Sequence, residues 1–221
     1  MIRSRLPLAL CAALAALSAC GSSASGGGGD RLVDNSTCPY GPSSAGPYKP
    51  NPPATNHVPD HAQVIPEMPH EHVTPPTRVT YAHNPPTSGC HYSLGYGQAP
   101  IAAGAYPPSP VIPAEYWVHN LEHGYVAVLY NCPKGCDADL RALQAWMQGQ
   151  KPDPGLAALV KSDPSFKPYT KIIVIPWPTM TPRFAAVSWD YYDPMGSVDL
   201  TELQHFYDNH AGHSPEGQAT P

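Results

Sequence analysis

The chain has 221 residues, 12 of them Lys or Arg and 17 Asp or Glu, for a formal net charge of −5. A net-acidic chain without a Lys/Arg cluster argues against nucleic acid as a partner. Its length suits one domain behind a leader, and its 30 prolines, concentrated in the first half, oppose long regular elements there.

The first element is a secretory signal peptide over residues 1–19, in which Arg3 and Arg5 precede an apolar run from Leu6 to Leu17. The run ends in "LSAC" before Gly21, which resembles the lipobox of bacterial lipoproteins. That resemblance implies cleavage before Cys20 and diacylation of this cysteine. The protein is then extracytoplasmic, and its partner is the membrane, held through the lipid. The alternative is cleavage near Ala19 and a freely secreted product. No later stretch has the roughly 18 apolar residues that a membrane span needs. Residues 20–56 are Gly/Ser-rich and then Pro/Ser-rich, the composition of a flexible spacer. No motif specifies a protein partner.

Residues 57–117 are broken by proline and read as an irregular wrap, with one short strand at "RVTY" (78–81). The apolar run "YVAVLY" (125–130) predicts a buried strand. "DADLRALQAWMQG" (137–149) predicts a helix with Leu140, Leu143, Trp146 and Met147 on one face, Asp137 as N-cap and Gly149 as stop. "GLAALVKS" (155–162) suits a second short helix, and "KIIVIPW" (171–177) a strand that Pro176 ends. "RFAAVSWDYY" (183–192) alternates as one strand. "SVDLTELQHFYDNH" (197–210) predicts a helix with Asp199 and Glu202 as a capping box. The order β-α-(α)-β-β-α specifies an α+β fold: one compact domain, a small mixed sheet with helices packed on one side, and the Pro-rich wrap.

Outside the cytoplasm an even number of cysteines reads as disulfides. Cys11 leaves with the signal and Cys20 takes lipid, which leaves Cys38, Cys90, Cys132 and Cys136. Cys132 and Cys136 flank a Pro-Lys-Gly turn and are the natural local pair. Cys38 with Cys90 then ties the spacer to the domain.

"NPPTSGCHY" (84–92) and "VHNLEHGYVAVLY" (118–130) resemble the central motifs of the DUF3105 family of uncharacterised bacterial proteins. His72-Val73 and Trp189 match further parts of its pattern. The resemblance runs over about residues 70–213, inside a domain of 57–213, with 214–221 as a disordered tail. Cys90 stands where the family has proline, and "CPKGC" is an addition. The resemblance implies a fold and a place for the site, but no reaction.

The chemistry lies in the histidines of these motifs. Neutral imidazole is the commonest metal ligand, and a fold that gathers two or three can hold an ion. His91, His119 and His123, with His72 as a fourth member, are the candidate metal ligands, and copper or zinc fits such a set. At a strand start His119 and His123 share one face while Glu122 points away. Glu122 is then expected to orient a ligand from outside the first shell. On a helix the two imidazoles are one turn apart.

Other readings use the same residues. As a non-catalytic interaction domain of the cell envelope, the protein would use its histidines structurally. "HNLEH" also matches the H-x-x-E-H pattern of inverted zincin metallopeptidases, which needs a helix and a third ligand, for which Glu202 is the available late glutamate. "NCPKGCDADL" resembles the copper-delivering Sco proteins, which carry two cysteines between a strand and a helix; Cys132 and Cys136 would then be ligands. Ser88 beside His91 is a poor nucleophile-base pair. His205, His210 and His213 are expected at the surface.

Overall fold

A computed structural model describes residues 57–93, 99–165 and 167–216. Four five-residue strands form the body of its sheet: β5 (Val126–Tyr130), β6 (Ile172–Pro176), β7 (Phe184–Ser188) and β8 (Tyr191–Met195). Two-residue strands complete it, β1 (Gln63–Val64) and β4 (Gly104–Ala105), in the order β1-β8-β7-β5-β6-β4. β5 runs parallel to β6 and antiparallel to β7, so the sheet is mixed. Strands β5, β6 and β7 are buried at every position. Continuous apolar runs of this kind belong to strands covered on both faces.

The two faces have different covers. Helices α2 (Asp137–Gln148) and α4 (Leu200–His210) put Leu143, Leu203 and Phe206 against Val126, Val128, Ile172 and Val174. Trp146 Nε1 donates to Gln204 Oε1 at 3.0 Å, joining the two helices. The opposite face carries α1 (Ala114–Glu122), whose Trp117, Val118 and Leu121 pack on Ala127, Leu129, Ile173 and Val187. The irregular segment before α1 lies on this side, with Ile65 and Ile101 in the same core. The α+β class and mixed sheet are as expected, but helices cover both sides rather than one.

From residue 125 on, the elements lie where the sequence puts them, α3 (Ala157–Ser162) included, and the differences have local causes. Residues 183–192 are not one strand. They cover β7 and the start of β8, joined through Trp189 and Asp190. Asp190 takes φ 69°, a left-handed conformation that aspartate tolerates better than most side chains. Residues 78–81 form no strand. The Val79 amide donates to Glu115 Oε1 at 2.7 Å, so a side chain takes the place of a strand partner. Helix α2 is capped by Cys136 rather than Asp137, without a side-chain hydrogen bond. In α4, Asp199 accepts from the amides of Thr201 and Glu202 as expected. The reciprocal half of the box is absent, because Glu202 Oε1 accepts from the His61 amide at 2.6 Å.

Cys132 and Cys136 form the expected disulfide. Cys90 is disulfide-bonded as well, and Cys38, the partner expected for it, lies outside the described residues. The signal segment, Cys20 and the spacer also lie outside them.

Candidate metal centre

The stretch that opens the second motif is a helix, and this changes what its side chains do. Pro113 stands at the N-cap of α1 and His123 at the C-cap; proline has no amide hydrogen to leave unpaired at a helix start. Gly124, at φ +80°, ends the helix, as glycine does where the chain turns left-handed. Every residue of α1 except Tyr116 is buried. Its apolar side chains face the sheet, and its carboxylate, amide and imidazole side chains each have a partner. Glu115 holds Arg78 and Val79. Asn120 exchanges two hydrogen bonds with the backbone of Ile101. His119, Glu122 and His123, at positions i, i+3 and i+4, share one face. At the helix end, the buried Lys171 donates to the His123 carbonyl at 2.7 Å, where a cation complements the helix dipole.

A second small sheet supplies the opposing residues. β2 (His72–Val73) and β3 (His91–Tyr92) run parallel, with His72 opposite His91 and Val73 opposite Tyr92. Side chains alternate across a strand, so the register puts both imidazoles on one face. Val73 and Tyr92 fall on the other, in a separate core with Cys90 and Ala99. Gly89 fixes the approach: at φ +129°, a Cβ there would lie 2.9 Å from the Tyr81 ring.

These elements gather His72, His91, His119 and Glu122, with ligand atoms all within 4.8 Å of one another. Ring centroids are 4.9 Å apart for His72–His91, 5.4 Å for His72–His119 and 4.9 Å for His91–His119. His91, His119 and Glu122 are buried. The His72 side chain is 47% exposed and forms the solvent edge of the cluster.

Hydrogen bonds fix how the rings point. His91 Nδ1 donates to the Gly89 carbonyl at 2.8 Å, and His119 Nδ1 donates to the Tyr92 carbonyl. A carbonyl only accepts, so each neutral ring carries its hydrogen on Nδ1 and its lone pair on Nε2. Outer hydrogen bonds of this kind orient the imidazole ligands of metal sites. The Nε2 of His91 lies 2.8 Å from Glu122 Oε2, and that of His72 lies 3.6 Å from the same oxygen. An imidazole lone pair facing a carboxylate is two acceptors in contact, which either an added proton or a cation resolves. Burial would raise the Glu122 carboxyl, but the surrounding imidazoles, His91 first and then His72, hold it below its ordinary value. Burial, reinforced by His91 and His123, pushes the His119 imidazole down to about 3. It is therefore neutral, the form that binds metal.

His123 sits beside this group and not within it. Its Nε2 is 3.0 Å from His119 Nε2 and 3.1 Å from Glu216 Oε2. Glu122, His123 and Glu216 form a second group of convergent donors. The sequence placed Glu122 facing away, on the premise of a strand; the helix turns it inward. Glu216 falls in the segment expected as a tail, where no sequence pattern marks it.

The remaining candidates are elsewhere. Glu202 accepts from His61 on the α4 side and supplies no third ligand for an inverted zincin. The Cys132–Cys136 disulfide belongs to the core on the α2–α4 face, across the sheet from the histidines. Ser88 Oγ accepts from the Met68 amide. His210 is buried rather than exposed, 2.8 Å from Asp60 Oδ2.

Fold and site together define an α+β domain with a His/Glu cluster able to hold a metal ion, set between one helix and a two-stranded flap. The family model described as "Protein of unknown function (DUF3105)" matches residues 72–221, well over half the chain. The chain belongs to the DUF3105 family. No curated protein and no solved structure matches it.

Proposed function

We propose that this protein is a membrane-anchored extracytoplasmic lipoprotein whose domain binds zinc(II) or copper(II) through His72, His91, His119 and Glu122. The observation that carries the metal reading is the pair of Nδ1 donations to Gly89 and Tyr92. They turn the Nε2 atoms of both buried rings, the lone-pair side of a neutral imidazole, into the same small space as a carboxylate. Imidazole with one carboxylate and no thiolate suits these borderline ions. The exposed edge of His72 gives an entry path. The bonded cysteines fit an oxidising compartment. Lipid attachment at Cys20 rests on "LSAC".

The rival is an interaction domain of the cell envelope with structural histidines. Equilibrium binding separates the two. Purified full chain, stripped with chelator and reloaded, should retain Zn²⁺ or Cu²⁺ stoichiometrically; a folded chain that retains neither leaves the interaction reading. Mass analysis of the membrane fraction checks the anchor, and a soluble product beginning elsewhere than Cys20 would overturn it. The helical form of "HNLEH" favours a hydrolytic centre locally, but Glu122 lies among the ligand atoms, which removes it from the role of general base.

A further inference from the structure

We infer that the centre has two cation positions bridged by Glu122, the second completed by His123 and by Glu216 from the C-terminal segment. This rests on the metal reading above and extends it. The starting point is the helix. Positions i, i+3 and i+4 place His119, Glu122 and His123 side by side, with Glu122 between two groups of donors. On one side are His72, His91 and His119; on the other are His123 and Glu216. A carboxylate has two oxygens, so one side chain can serve both ions.

An ion pair between His123 and Glu216 explains the second group less well. The His123 side chain is 2% exposed, and its Nε2 faces two acceptors at once, His119 Nε2 at 3.0 Å and Glu216 Oε2 at 3.1 Å. A single N–H there must be shared between them. Two carboxylates, the buried Glu122 and the partly exposed Glu216, also converge on this one imidazole, and a cation between them offsets their like charges. A divalent ion satisfies the His123 lone pair and both carboxylates together. Adjacent ions in such centres stand roughly 3.5–4 Å apart, which accommodates His119 and His123 as ligands of different ions.

Glu216 is not brought there by chance contact of a loose end. The Gly212 amide donates to the Gly124 carbonyl at 2.8 Å. A Cβ on Gly124 would lie 2.8 Å from Gly212 Cα, so the two backbones touch. The C-terminal segment is thus seated on the end of α1, four residues before Glu216. One imidazole and two carboxylates favour a borderline or hard divalent ion over copper(I).

The test is stoichiometry. Purified full chain is stripped, saturated with Zn²⁺, freed of excess and assayed for bound metal. Two Zn²⁺ per chain are expected, and one for Glu216→Ala, whose side chain is partly exposed and whose loss leaves the core intact. With Cu²⁺, the wild type should give the broadened, half-field electron paramagnetic resonance of a coupled pair, and Glu216→Ala an isolated copper(II) spectrum. One ion per chain, unchanged by the substitution, overturns the second position and leaves the first. Two ions in both proteins overturns the role of Glu216. No bound metal in the wild type overturns the metal reading itself.

Discussion

Glu122 turns its carboxylate onto His91, Oε2 to Nε2 at 2.8 Å, from the last turn of the helix that also carries His119. Two elements that share no sheet are joined at this contact: the α1 helix and the flap formed by β2 and β3. Glu122→Gln keeps the shape and can still hydrogen-bond His91, but a neutral amide is a poor metal ligand. The variant should fold as the wild type by circular dichroism. Its Zn²⁺ affinity should fall more than about 100-fold, since outer partners alone are worth 10–100-fold. Unchanged affinity in a calorimetric titration would remove Glu122 from the ligand set.

The disulfide between Cys132 and Cys136 gives a second expectation. It closes a loop with a sequence separation of 4, so the chain-entropy contribution is small, about 2 kcal/mol. Cys132→Ser/Cys136→Ser should lower the thermal midpoint by several degrees and leave metal content unchanged, because the sulfurs lie across the sheet from the histidines. Loss of bound copper in this variant would restore the thiol reading.

The body of the sheet and three of the four α-helices among the described residues are legible because their apolar residues follow simple periods. α1 is not, for a physical reason. It is buried on nearly all sides, so no polar face alternates with an apolar one. Glu115, His119, Asn120 and Glu122 look like surface residues in the sequence and are instead each paired inside. The histidines were found from their motifs, but the role of Glu122 followed the strand assumption and failed with it. Glu216 could not be found at all, since a contact to His123 across 93 positions leaves no local trace. The β7–β8 turn carries no such mark, because aspartate takes the left-handed position that glycine usually signals.

Gly124 should tolerate no side chain. Its φ of +80° is strained for any L-residue, and a Cβ would meet Gly212 Cα at 2.8 Å. Backbone strain of this kind costs about 1–3 kcal/mol, and the contact with Gly212 adds to it. Gly124→Ala should therefore lower the thermal midpoint and loosen residues 212–216, read as faster amide exchange at Gly212. A variant as stable as the wild type, with Gly212 still protected, would contradict the close packing of these two segments.

Asp193 sets a pH dependence of its own, away from the metal centre. It lies on β8, buried, facing Glu202 of α4, with His61 and Asp60 of the N-terminal segment nearby. Burial first, then the hydrogen bond and charge of Glu202, raise its carboxyl from 3.8 to about 7. The folded state therefore holds a proton that the unfolded chain releases near 3.8. The stabilisation is fully present below that pH and is lost as pH rises through about 7, by up to about 1.4 kcal/mol per pH unit. Asp60 has the opposite sign. Burial would raise it, but His210 and Asn209 bring it down to about 2, so its contribution is lost only in strong acid, outside this window. Asp193→Asn keeps a neutral donor opposite Glu202 without a charge to bury. Denaturant unfolding from pH 4.5 to 8 should show wild-type stability declining towards pH 8 more steeply than that of the variant, and the variant should be the more stable protein at pH 8. Parallel pH profiles for the two would show that Asp193 and Glu202 do not share a proton in the folded state.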